Sequence, residues 1–193
     1  MNFVQNDKPS APEELSTFAL SDPQFPRFRY LRNYWKTSGP KSGIKTKVMG
    51  KLRPAGHVAL RHDVLLPHRA PGEYIDVEFL LTRCDATLPR HEKTGFGQFT
   101  IDLPEDLGWH VGWEKARSWA ASYFVEQYQV PVILILHATS LSGSSNLPHV
   151  HAILPPRRLG ANGFGAHVPG VCCDDGFELA LLSWDDFSQG LYT

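Results

Sequence analysis

The stretch Val132-Ile-Leu-Ile-Leu-His137, followed after eleven residues by His149-Val-His151-Ala-Ile-Leu154, decides how this chain is read. Side chains at i and i+2 of a strand share a face, so His149 and His151 point the same way. His137 closes the apolar strand before them. If the two segments pair, three imidazoles meet at one spot. An apolar strand gains nothing from buried imidazoles unless their nitrogens find partners. Three neutral nitrogen ligands with coordination positions left open suit a metal that performs chemistry better than one that only braces a fold.

Working outward, the loop Thr139-Ser-Leu-Ser-Gly-Ser-Ser-Asn-Leu147 is small and polar, and able to move or close over a substrate. Upstream, Trp113, Ala116, Trp119, Ala120, Tyr123, Phe124 and Gln127 follow 3.6-residue spacing, which predicts an amphipathic helix with its aromatic stripe in the core. Gly97–Leu103 alternates like a strand, and His57–Leu66 reads as another, closed by the turn Pro67–Gly72. Glu73–Cys84 reads as a short helix. After the histidines come a turn-rich piece, Arg157–Gly170, then Phe177–Leu182 and an acidic end. This order predicts an α+β fold, a central antiparallel sheet with helices packed on it. The N-terminal part looks looser. Met1–Pro26 is polar and proline-dotted, Pro26–Trp35 has helical character, and the Lys, Gly, Ser and Pro of Lys36–Pro54 favour a loop or mobile hairpin. The expected organisation is an arm over 1–55 and a core over 56–193, one domain overall.

With 193 residues the chain is long enough for one well-packed domain. No apolar run approaches the roughly 20 residues of a membrane span. The N-terminus lacks the basic start and apolar stretch of a secretory signal. Cys172 and Cys173 are adjacent and Cys84 is remote, which is neither a disulfide framework nor a C-x-x-C site. A reducing cytoplasmic setting follows. Net charge is −1, yet the charge is unevenly placed. Arg29, Arg32, Lys36, Lys41, Lys45, Lys47, Lys51 and Arg53 crowd one segment with the aromatics Phe28, Tyr30, Tyr34 and Trp35. Basic groups neutralise phosphates and aromatic faces stack on unpaired bases, so the segment is fitted to single-stranded nucleic acid; a solvated arm without a ligand is the alternative.

The residues around the histidines also carry a resemblance. Asn146-Leu-Pro-His149-Val-His151-Ala-Ile-Leu-Pro-Pro-Arg157-Arg-Leu-Gly-Ala-Asn-Gly-Phe-Gly165 resembles the HUH segment of MobA/MobL-type plasmid mobilisation relaxases. The similarity extends through Leu134-Ile-Leu-His137, the helix at Trp113–Tyr128 and Ile101-Asp-Leu-Pro104, and more weakly to Gly56–Pro67. It implies an HUH relaxase-like fold with a ferredoxin/RRM-like core. It also implies a metal-dependent enzyme that nicks and rejoins single-stranded DNA at a transfer origin, together with other relaxosome proteins and no membrane. His137, His149 and His151 would hold a divalent ion, Mg²⁺ or Mn²⁺. A tyrosine would attack and leave a 5′-phosphotyrosyl link. Tyr34, in Arg32-Asn-Tyr34-Trp-Lys-Thr-Ser-Gly39, falls about where the family places its nucleophile, and Tyr30 competes with it. Arg157 and Arg158 join the basic segment as expected DNA contacts.

Where the family carries acidic residues on the strand before the helix, this chain has Gln98 and Thr100, with Asp102 nearby. Other readings stay open. A rolling-circle initiator or single-tyrosine transposase would use Tyr192, the one tyrosine after the histidines. An accessory protein of the same fold would bind DNA without cutting it. A metal-dependent hydrolase or cupin-like barrel would have no affinity for DNA.

Overall fold

The computed structural model describes residues 15–36, 43–53, 59–104, 106, 108–138 and 146–190. Its centre is a six-stranded sheet of β1 (Ser16–Ser21), β2 (Phe28–Tyr34), β3 (Arg61–Leu65), β4 (Thr94–Asp102), β5 (Val132–His137) and β6 (His149–Leu154). The strands run in the order β1-β2-β4-β6-β5-β3, and every neighbouring pair is antiparallel. The α-helices among the described residues are α1 (Ile44–Leu52), α2 (Val77–Ala86), α3 (Trp109–Ala120) and α4 (Asp174–Ser188). A separate hairpin, β7 (Arg157–Gly160) with β8 (Gly163–His167), precedes α4. The fold class is α+β, as the order of sequence patterns predicts. Among the described residues no helix is long and apolar enough to cross a membrane.

The central strands β5 and β6 are buried along their whole length because both faces of the sheet are covered. On one face Phe28, Tyr30, Phe99, Leu134, Val150 and Leu154 pack against Trp113, Trp119 and Phe124 from α3 and its continuation, and Phe177, Ala180 and Leu181 of α4. On the other, Val64, Ile133, Ile135 and Ile153 pack against Ile44, Val48 and Leu52 of α1 and Leu80, Leu81 and Cys84 of α2. The aromatic stripe of α3 is core, as its spacing implies. Past Ala120 that helix widens into π-helical turns over Ala121–Glu126. It ends at Gln129, whose φ of 59° is left-handed and whose amide donates to the carbonyls of Val125 and Glu126.

The N-terminal reading needs correction. β1, β2 and α1 pack into the same sheet and core as the later elements rather than standing beside them as an arm. β1 and β2 form one side of the sheet, with β2 pairing along its length with β4. Within Pro26–Trp35, expected to be helical, Phe28–Tyr34 is therefore strand rather than helix. Its alternation puts Phe28 and Tyr30 under α3 and α4 while Arg29 and Asn33 lie on the α1 face. Asn33 is buried there and accepts from the Thr17 hydroxyl of β1. Within Lys36–Pro54, expected to be loop, Ile44, Val48 and Leu52 recur every fourth residue and make the buried stripe of α1. Met1–Glu14 lie outside the described residues.

A candidate metal centre at one end of the sheet

His137 stands opposite His149 in the β5–β6 ladder, and His151 stands opposite Thr100 of β4. Opposed residues of an antiparallel pair project to the same face. All three imidazoles consequently meet on the α1 face, at the end of the sheet where β5 stops and β6 begins. Ring centroids are 5.4 Å apart for His137 and His149, 4.9 Å for His137 and His151, and 4.7 Å for His149 and His151. One nitrogen from each ring lies within 4.8 Å of the other two. Side-chain exposure is below a tenth for each ring.

The opposite nitrogen of every ring is tied to the protein. His137 donates from Nε2 to the Lys51 carbonyl at 2.7 Å, at the C-terminal turn of α1. His149 donates from Nδ1 to the Leu147 carbonyl at 2.9 Å. His151 Nδ1 lies 2.9 Å from the Thr100 hydroxyl and 3.1 Å from the Gln98 amide. Gln98 Oε1 is buried without a partner. Turning that amide over brings its oxygen to the His151 N–H as a second acceptor. These bonds fix ring orientation and turn one nitrogen of each ring toward the other two, the arrangement a metal ion needs. Burial lowers the pKa of His149, and lowers that of His151 further, where His149 and Lys51 add to the effect. Both rings are thus held neutral, the form that binds a cation. The residues fit a divalent ion: three converging lone pairs, each with its supporting bond.

Charge surrounds the triad asymmetrically. Asp102 faces His149 in the β4–β6 ladder and pairs with Arg29 of β2. Lys51, half-buried on the last turn of α1, loses proton affinity to burial and to its neighbour Lys47. Its charge also reaches His149 and His151. Two cations and one carboxylate therefore ring the histidines. Gln98 and Thr100 escape a motif search because uncharged residues carry no metal signature. Their mark is the period-2 alignment with Asp102 on a strand that is otherwise Phe99 and Ile101 on the opposite face.

The tyrosines do not join this group. Tyr30 lies on the α3–α4 face, fully buried, stacked 6.0 Å from Phe177 and tilted 4.8 Å from Phe99. Burial, with Cys172 adding to it, pushes its phenol far above the ordinary tyrosine value. Tyr34 follows the same alternation and ends β2 beside Arg32, which sits 5.8 Å from its ring and pairs with Asp174 of α4 at 3.0 Å. From the Arg29 end of β2 to Tyr34 is ~17 Å along the strand, on the face away from the histidines. Both tyrosines therefore lie across the sheet from the triad. Tyr192 and Lys41 lie outside the described residues.

Nor do all the basic residues gather there. Arg29 and Lys51 flank the triad, and Arg53 is exposed just beyond α1. Lys47 binds Thr17 and the Leu15 carbonyl toward β1, and Lys45 binds Glu78 and Thr82 of α2. Lys36 is exposed at the end of β2 far from the triad, and Arg32 faces α4. Arg157 is buried, donating to Thr87, Phe164 and Gly165 oxygens, and it clamps the β7–β8 hairpin away from the triad. Its neighbour Arg158 is exposed on the hairpin.

No family model matches the sequence. No curated protein matches it either. Comparison of folds finds a solved structure described under the heading of the molecular basis of vancomycin resistance transfer in Staphylococcus aureus. The match has a TM-score of 0.56 and 20% identity, and covers 67% of this chain and 67% of that one. The chain shares that structure's fold.

Proposed function

We propose that this chain is a relaxase-like protein that engages single-stranded DNA of a transfer origin through a divalent ion on His137, His149 and His151. The observation that carries the reading is the triad itself, set in a six-stranded antiparallel sheet with each ring braced by a protein oxygen. The likeness in fold to a structure concerned with resistance transfer supports it. So does the family resemblance of the Asn146–Gly165 segment.

A divalent ion bound there neutralises charge on a phosphate oxygen and makes the phosphorus more electrophilic. The chain's own residues supply the rest. Lys51 and Arg29 approach the same phosphodiester from either side of the triad. Asp102 holds Arg29 in place, and Thr100 and Gln98 hold His151. Attack by Tyr34 or Tyr30 forms no part of the reading, since both lie on the other face. The proposed activity is thus ion-dependent capture of a DNA phosphodiester, with any tyrosyl linkage formed by neither of them.

The test is incubation with labelled single-stranded origin DNA and Mn²⁺, followed by native and denaturing separation. Expected are a native complex that needs Mn²⁺ and disappears in His149→Ala, and no denaturation-resistant adduct on a peptide containing Tyr30 or Tyr34. Binding that ignores both Mn²⁺ and His149→Ala would overturn the ion-centred reading. A covalent adduct mapped to Tyr34 would overturn the exclusion of that residue.

A further inference from the structure

A cavity of about 770 Å³ opens at the same end of the sheet, on the α3 face. Its walls are Trp109, His110 and Trp113 from the start of α3, Arg61 at the start of β3, and Leu60 and Leu136. Leu136 immediately precedes the ligand His137, and the Leu60 N–H donates to its carbonyl at 2.9 Å. The cavity therefore borders the triad around the β3–β5 edge. Its volume lies within the roughly 300–1,000 Å³ usual for small-molecule sites.

The lining favours a flat, aromatic, partly polar occupant. The Arg61 guanidinium lies 4.7 Å from the Trp113 ring centroid. Its partner Glu114 sits 3.1 Å away, and both side chains are about half exposed, so the pair is worth little and Arg61 is free to turn. Trp113 is fully buried, yet its indole N–H has no acceptor, which is costly for a group in that position. Trp109 and His110 add two more rings at the mouth. A phosphate is poorly served here: the lining holds one cation, Arg61, and sets the carboxylates of Glu114 and Asp106 near it. A nucleobase suits all of these features. It stacks on the partly exposed Trp109 indole and the Arg61 guanidinium plane, and its edge offers an acceptor to the guanidinium N–H groups and a donor to Asp106.

We infer that this cavity receives one unpaired base of the DNA strand whose phosphate is held at the triad, so that the strand wraps the β3–β5 edge. The inference rests on the single-strand binding proposed above. It makes Trp109 and Arg61 binding residues and gives the protein a point of preference among bases beside the phosphate it holds.

The experiment measures anisotropy of a short fluorescent origin oligonucleotide with Mn²⁺, for the intact chain and for Trp109→Ala and Arg61→Met. A parallel series carries a single abasic residue at successive positions. The expected result is a loss of roughly 5- to 150-fold for Trp109→Ala, the worth of one stacked base. One abasic position should cost the wild type a similar factor and cost Trp109→Ala nothing further. Equal affinity of wild type and Trp109→Ala, or an abasic series without a sensitive position, would sink the base site while leaving ion-dependent binding standing. Absence of any oligonucleotide binding by the wild type would remove the proposed function and this inference with it. Because the abasic series uses unmodified protein, the inference stays testable even if a variant folds poorly.

Discussion

Thr100 holds the ring of His151 by a 2.9 Å hydrogen bond, and nothing else about it would draw notice. Loss of a bond of this kind beside a metal ligand typically costs 10- to 100-fold in affinity. Thr100→Val should therefore weaken Mn²⁺ binding by about that factor with all three histidines present, and Thr100→Ser should restore it. Titration followed by electron paramagnetic resonance reads this directly, and unaltered affinity in Thr100→Val would refute the supporting role. The histidines themselves set a pH dependence. His149 and His151 have pKa values below the ordinary 6.5 because burial disfavours the charged ring. The unfolded chain binds protons there that the folded chain does not, so stability rises with pH across that window. Their contribution is complete above about 6.5 and is lost as pH falls from there toward the lower folded values. The ion-free protein should melt at a lower temperature at pH 5 than at pH 7.5. His151→Gln should flatten that difference; a wild-type melting temperature that does not fall on acidification contradicts the burial argument.

At the scale of elements, legibility followed the number of buried faces. β5, β6 and α3 announce themselves through an unbroken apolar run or a full helical stripe. The His137, His149 and His151 cluster was readable because their spacing and strand ends together fix one face. β2 was not, because Phe28, Leu31 and Trp35 also sit at the i, i+3, i+7 spacing of a helix, and the arginines between them mimic a polar helix face. Its true period of 2 becomes visible only when β4 supplies the partner. α1 was masked by its Lys and Gly content, although Ile44, Val48 and Leu52 carry the stripe. The face that Tyr30 and Tyr34 occupy was hidden for the same reason, since a helix over Pro26–Trp35 does not show it. One close contact tests the packing of α4. A Cβ at Gly176 would lie 2.3 Å from the Gly170 carbonyl oxygen, a backbone atom that cannot turn aside. Alanine would add about 1 kcal/mol of helix propensity. Overpacking against fixed backbone costs about 1–3 kcal/mol and more when nothing yields, so it wins. Gly176→Ala should lower stability in urea denaturation; a more stable variant would show that the turn before α4 relaxes freely.

For the whole molecule, the uneven charge of the sequence does not collect on one face. Among the described residues, the basic side chains from Arg29 to Arg53 are dealt out to both sheet faces, and several make contacts within the fold. Lys45 pairs with Glu78 at 2.7 Å, Arg32 with Asp174 at 3.0 Å, and Arg157 is closed in by oxygens of Thr87, Phe164 and Gly165. Only Arg29 and Lys51, among those with described side chains, stand beside the triad. Salt dependence separates the two groups, since each phosphate neutralised on a single strand contributes about 0.7 to the slope of log affinity against log salt. Lys51→Met should weaken oligonucleotide binding and make that slope shallower by about 0.7, and Arg29→Met should do likewise. Arg32→Met should leave the slope unchanged. Arg157→Met should also leave it unchanged, while costing about 3 kcal/mol of stability because it strands buried carbonyls. The pairing matters for interpretation: a variant that lowers stability without moving the slope is structural, and one that moves the slope without lowering stability touches DNA. A shallower slope in Arg157→Met with stability intact would return that residue to the binding surface, and would mean the β7–β8 hairpin opens when DNA is bound.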